Sequence, residues 1–247
     1  MARAIVITSG KGGVGKTTLT VNVGRILASM GLKVVLVDAD MGLNNLDVVT
    51  GVENKVVYDI VDVIENRCRV KQALVEDECA RGLYVLPSAH SYDRSRVDSQ
   101  SVRAVALSLF RRRAAAAADE AIVVATPHVS ALRDAEKVIK LLDSYRLRSV
   151  SVVLNRVRGD MEYDGTSAGV DDVREMLSAP VIGAIPDDDG INMLSTLSLP
   201  QSRRSEGYIA TLMLTKMLRY GTGTVYDAGR RYRGIFGGIR RKMRKIV

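Results

Sequence analysis

Residues 4–18 read AIVITSGKGGVGKTT, and the order of those letters decides the fold. The first five are apolar or β-branched, the composition of a short strand buried on both faces. Gly10 to Thr17 then fits the pattern G-x-x-x-x-G-K-[ST], and from Thr17 apolar residues recur at helical spacing. Strand, glycine-rich turn and helix in that order are the context the pattern requires. Glycines let the backbone curl until successive N–H groups face one point, and the helix start adds its positive end. The stretch is therefore a phosphate cradle, with a plain glycine-rich turn as the alternative. In the cradle reading Gly12, Gly13, Val14 and Gly15 line the curl and Lys16 reaches the β- and γ-phosphates. The Thr17 hydroxyl ligates magnesium, and Thr18 adds a contact to the α-phosphate. ATP and Mg2+ are the cofactors expected.

Outward from this stretch the chain alternates. Apolar runs at 33–37, 83–86, 121–126, 150–154 and 181–185 predict further strands. Helical spacing marks 17–30, 56–65, 101–112, 130–142 and 170–177. Most strand runs are continuous rather than alternating, so the expectation is an α/β fold with a doubly wound, mainly parallel sheet. The body is expected as one P-loop domain over 1–228, with a basic amphipathic tail over 229–247.

Composition sets the remaining bounds. Apolar residues make up 47% and charged residues 26%, ordinary for a folded domain. Trp is absent and Phe occurs twice, so the core must rest on aliphatic side chains. No apolar run approaches the ~20 residues of a membrane span, and the first apolar stretch runs straight into Gly and Lys, unlike a signal peptide. Cys68 and Cys79 have no C-x-x-C spacing and no neighbouring His, which predicts free thiols in a reducing cytoplasm.

Charge is informative by position. The net charge is +8, from 36 basic and 28 acidic residues. Eight of the basic ones (Arg230, Arg231, Arg233, Arg240, Arg241, Lys242, Arg244 and Lys245) follow the last acidic residue, Asp227, so the body is neutral, 28 against 28. A neutral body argues against a nucleic-acid partner. In the tail, Tyr232, Ile235, Phe236, Ile239, Met243 and Ile246 recur every three or four residues, with Arg240, Arg241 and Lys242 mostly on the other side. Gly234, Gly237 and Gly238 each cost about 1 kcal/mol against helix. The tail is thus expected to be unstructured in water and to fold on an anionic membrane, with a solvated tail or a nucleic-acid arm as alternatives.

Asp38 and Asp40 close the second strand, at the carboxyl edge where α/β sheets bind ligands. There they suit magnesium-bound or attacking water, or else a turn or helix cap.

The run K-G-G-V-G-K-T-T carries an extra lysine, Lys11. With VVLVDADMGLNNLD, LYVLPSA, ADEAIVV, VSALRDAEKVI, RGDM and VIGAIPDD it resembles the MinD/ParA family of variant P-loop ATPases, closest to its septum-placing branch, over most of the chain. The resemblance implies that Lys11 crosses a dimer interface to the partner's nucleotide, so that ATP joins two subunits. It assigns Asp40 to hydrolysis with Lys11 and Lys16, Asp38 to the metal's outer shell, and Asn155, Pro186 and Asp187 to adenine. Asn45 matches a switch residue, although the family more often has Arg at the place of Asn44. Implied partners are MinC- and MinE-like division regulators, an anionic membrane surface and a second copy of the chain. The expected location is cytoplasmic, peripheral on the inner face of the cell membrane.

One family block is missing. P-loop ATPases carry a second acidic strand that completes the magnesium site. In this family it reads apolar-apolar-D-x-P-A-G and lies beside the P-loop strand, mid-sheet. Between Phe110 and Ala121 this chain has only RRRAAAAADE. Hydrolysis is therefore expected to be weak or absent. A DNA-coating partition ATPase and a non-catalytic nucleotide- or membrane-binding relic remain the alternative functions.

Overall fold

The computed structural model describes residues 3–39, 45–88, 120–145, 147–191, 202–233 and 237–238. Asp40, Asn44, the expected helix at 101–112 and the 111–119 segment lie outside them. So do Ile235, Phe236, Ile239, Arg240, Arg241, Lys242 and Met243. The described chain falls into two compact units, one built from 3–4, 17–39 and 45–88 and the other from the remainder.

In the first unit, helix α1 (Lys16–Ser29) is followed by β2 (Val34–Val37), α2 (Leu46–Thr50), α3 (Ile60–Ile64), α4 (Val70–Ala73), β3 (Val75–Glu76) and β4 (Leu83–Leu86). β2 runs parallel to β4 from Val34↔Leu83 to Val37↔Leu86, and β3 lies antiparallel on β4's other side. Val21 and Ala28 of α1 pack with Leu36, Leu83 and Val85 of the strands. The helix comes close to the sheet because Gly24 has no side chain: a methyl group there would lie 3.0 Å from a Leu36 methyl. Helical spacing at 56–65 yields only the five residues of α3. Asp59 caps that helix by accepting from the N–H groups of Val61 and Asp62, and Asp62 returns the bond to Asp59 N–H.

The second unit holds β1 (Ile5–Thr8), β5 (Glu120–Ala125), α5 (Val129–Leu142), β6 (Ser149–Val157), α6 (Gly159–Tyr163), α7 (Val170–Leu177), β7 (Val181–Pro186) and α8 (Glu206–Tyr220). Its four strands are all parallel, in the order β1-β5-β6-β7. The helical crossovers between them are why strand and helix patterns alternate in the sequence. Val123, Leu132, Val152, Leu154, Val173 and Val181 form the centre of its core.

β1 departs from the continuous burial expected of it. β5 buries Ala121 through Ala125, but Val6 of β1 is 42% exposed. Among the described residues β1 pairs only with β5, and β2 only with β4. Among the described residues, then, the strand that feeds the phosphate loop has a strand neighbour on one side only.

Candidate phosphate and nucleotide site

The loop leaves β1 at Thr8 and enters α1 at Lys16. Its first glycine is dictated by a close approach: a methyl group on Gly10 would lie 2.4 Å from the Asp134 carbonyl oxygen on α5. Gly13 and Gly15 then take left-handed φ values of +74° and +96°, which turn the chain back on itself. Lys11, Gly12 and Gly13 are exposed, and side chains built at Gly12 or Gly13 would meet nothing within 4 Å. The first turn of α1 carries no acidic residue, so its positive end is not internally neutralised. Curled backbone, open approach, Lys16 and a helix start together fit a phosphate chain.

Two side chains shape the loop from within. Ser9, which the motif pattern does not mark, accepts from Lys16 Nζ and donates to the Lys11 carbonyl, each at 2.8 Å. Asn155 lies on β6 and is 6% exposed; its Nδ2 donates to the Val14 carbonyl at 2.7 Å. The structure therefore brings Asn155 to the phosphate loop itself.

Pro186 ends β7 opposite Val157, and the next residue, Asp187, donates its N–H to the Val157 carbonyl at 3.0 Å. This joins the proposed base loop to the end of β6. Beside it Arg158 grips the buried Asp160 with two hydrogen bonds, of 2.9 and 2.6 Å. The bond to Asp160 raises the Arg158 guanidinium above its usual value, against the effect of burial, and the Asp187 charge adds to the rise. Asp188, next in the AIPDD run, accepts from the N–H groups of Gly190 and Gly207 at 2.7 Å each, tying the loop to the start of α8.

Thr17 and Thr18 stand in the first turn of α1, both half-buried. Asp38 follows β2, is buried, and accepts at Oδ2 from the N–H groups of Asn45 (3.4 Å) and Leu46 (3.2 Å) at the start of α2. Among the described residues no three His, Cys, Asp or Glu side chains gather closely enough to hold a metal by themselves. Magnesium at a phosphate site needs no such cage, because phosphate oxygens and water complete its octahedron. Thr17 and Asp38 are the donors the sequence nominates for it.

The tail begins differently from the expectation of a wholly unstructured segment. Ala228 is buried with the β5–β6–β7 core, and 230–232 make one 3-10 turn packed near α6. Gly159 admits this contact, since a methyl group on it would lie 2.0 Å from the Ala228 carbonyl oxygen. Arg231 pairs with Glu206 at the start of α8, and Arg233 pairs with Asp227 at 3.0 Å. Glu206 also bonds the Tyr226 hydroxyl; burial first, and then this bond, push that phenol well above its usual range. Cys68 and Cys79 are free thiols.

Comparison with known proteins is consistent with this geometry. Residues 5–198 match the model of the CobQ/CobB/MinD/ParA nucleotide binding domain. The septum site-determining protein MinD of Synechocystis sp. is 40% identical over 208 residues, covering 77% of this chain and 78% of that protein. MinD of Bacillus subtilis is 40% identical over 210 residues with the same coverages. Among solved structures, the MinC:MinD cell division complex of Aquifex aeolicus superposes with TM-score 0.81 at 34% identity, covering 90% of this chain and 97% of that one. MinD of Pyrococcus horikoshii complexed with Mg-ADP gives TM-score 0.78 at 27% identity, covering 89% and 97%.

Proposed function

The chain belongs to the CobQ/CobB/MinD/ParA nucleotide-binding family, on its MinD-like, division-site-determining branch, and from that premise we propose a nucleotide-gated membrane regulator. It binds MgATP, dimerises around it, and attaches peripherally to the inner, anionic face of the cell membrane. Lys16 and the amides of Gly12–Thr18 hold the phosphates, Thr17 and Asp38 serve magnesium, and Lys11 reaches the partner's nucleotide. Pro186 and Asp187 border the base. A relative solved with Mg-ADP supports this choice of ligand. MinC-like and MinE-like proteins are the partners to test, the first because a relative was solved with MinC.

The observation that carries the reading is the loop itself: two left-handed glycines and Lys16 at the first residue of a helix with no acid in its first turn. Attachment rests on the basic, apolar-striped tail. No described helix is long and apolar enough to cross a membrane. One tail binds marginally, whereas two on a dimer gain from an intramolecular second attachment. Nucleotide thus controls residence through dimerisation. Turnover is slow or absent, because the sequence carries no apolar-apolar-D-x-P-A-G block and, among the described residues, β1 has no acidic strand beside it to hold magnesium and sense the γ-phosphate.

Thermal unfolding of the full chain with and without MgATP tests the base of this reading. A ligand of the folded state at about 100 times its Kd adds about 2.7 kcal/mol and raises the midpoint. An unmoved midpoint at millimolar nucleotide would defeat the proposal. Co-sedimentation with anionic vesicles tests the tail: deleting 234–247, which spares the docked turn at 230–232, must abolish binding. Phosphate release at a rate ordinary for the family would overturn the turnover claim alone.

A further inference from the structure

β6 is irregular at the point where it meets the phosphate loop. Its register against β7 runs from Leu154↔Ala184 to Val157↔Pro186, so Asn155 and Arg156 together face the single residue Ile185. Arg156 completes this bulge in a left-handed conformation, φ +56°, which residues other than glycine adopt at a cost. Such a strained bulge re-aims a neighbouring side chain. Here that side chain is Asn155, whose Nδ2 lies 2.7 Å from the Val14 carbonyl oxygen. The approach leaves no room for a side chain at the next position, since a methyl group on Gly15 would lie 2.2 Å from the same nitrogen.

A trans peptide points its C=O and N–H in opposite directions. With the Val14 carbonyl drawn to Asn155, the Gly15 N–H must therefore point away from it, toward the loop's other side. That N–H is one of the amides a phosphate cradle depends on. We propose that Asn155 is a positioning residue for the cradle: by holding the Val14 carbonyl it aims the Gly15 N–H at polyphosphate, whatever base the nucleotide carries. This role rests on the reading that the loop binds a nucleoside triphosphate, and it differs from adenine contact in what it controls. A base contact sets the preference for ATP over GTP. A loop anchor sets affinity for the phosphate chain.

Calorimetric titration of the full chain with the magnesium complexes of inorganic tripolyphosphate, ATP and GTP separates the two. Asn155→Ala removes the donor, and Asn155→Asp replaces it with an acceptor of the same size that repels both the carbonyl and the ligand. Asn155→Ala is expected to weaken all three ligands by a similar factor, about tenfold, the worth of one well-placed hydrogen bond. Asn155→Asp should weaken them further, with the ATP-to-GTP ratio unchanged in both variants. Ligand-free melting points show that each variant is folded, and the aspartate variant, equal in volume, serves if the alanine variant is not. Tripolyphosphate affinity unchanged in the variants, with the ATP-to-GTP ratio lost, overturns the anchor role and leaves the nucleotide reading standing. A wild-type chain that binds no tripolyphosphate overturns both.

Discussion

Glu162 on α6 shows how one side chain couples acidity to the root of the tail. Burial raises its carboxyl above the usual glutamate range, and the negative charge of Asp227 raises it further, while a backbone hydrogen bond and Arg233 pull the other way. The folded protein therefore binds the Glu162 proton more tightly than the unfolded chain does. Its contribution to stability is complete below the ordinary glutamate pKa of about 4.3 and is lost as pH rises through the elevated native value. Glu162→Gln cannot ionise and escapes that loss. The variant should melt higher than wild type near neutral pH, by less than about 1 kcal/mol, with the gap closing on acidification. Melting curves from pH ~4 to ~8 check this; a gap that widens in acid would reverse the assignment. At the same scale, the sequence marks residue types better than their targets. The turn through Lys16 and the loop glycines is legible because its spacing is itself a strand-to-helix pattern. Ser9 is not, since nothing in the letters says that its hydroxyl will meet Lys16 and the Lys11 carbonyl.

Among the elements, α1 and the β3–β4 turn are joined by a buried ion pair. Arg25 Nε and Nη2 reach Asp77 Oδ2 at 3.0 and 2.9 Å, and the Asp77 side chain is fully buried. Asp77 also accepts from Cys79 N–H at 2.7 Å, and Arg25 Nη2 lies 3.5 Å from the Thr50 carbonyl on α2. Arg25→Met strands a buried carboxylate and should cost about 3–5 kcal/mol, read as a lower urea midpoint. Arg25→Met with Asp77→Leu should recover much of that loss; no recovery would mean that the pair is not the source. Glu206 makes a different, surface pair with Arg231. Glu206→Gln should leave stability within about 1 kcal/mol yet tighten binding to anionic vesicles a fewfold, since it frees a cation worth about 1 kcal/mol there. Co-sedimentation at fixed salt measures it, and unchanged binding would show that Arg231 never meets lipid. How far such elements are legible depends on length and burial. β5, β6 and β7 announce themselves because parallel strands buried on both faces are mostly apolar at their centres. α2, α4 and α6, of five, four and five residues, are too short to display a helical period. β3 is only two residues long and antiparallel, held by pairing with Val85 and Tyr84 rather than by any pattern of its own.

For the molecule as a whole, the proposed switch separates two functions that a single catalytic defect need not damage equally. In that proposal membrane residence requires only that two tails be presented together. Hydrolysis requires an acid beside the P-loop strand, and β1 has none among the described residues. A dimer formed by other means should therefore attach without nucleotide. Fusing a parallel two-stranded coiled coil ahead of Met1 supplies such a dimer, and its effective concentration for the second tail is set by the tether rather than by ATP. Vesicle binding of the fused chain is expected to rise about a hundredfold over the unfused, nucleotide-free chain and to lose its dependence on MgATP. Deleting 234–247 from the fusion must return it to the unbound state. Co-sedimentation of the unfused chain, the fusion and the truncated fusion, each with and without MgATP, distinguishes the outcomes. A fusion that stays in solution would mean that nucleotide does more than join subunits, and gating would then have to reach the tail through its docked root at Ala228 and Gly159. A fusion that binds but still requires MgATP would place the control within one subunit. Nucleotide-independent attachment by an intact tail is the result that makes dimerisation the whole of the switch.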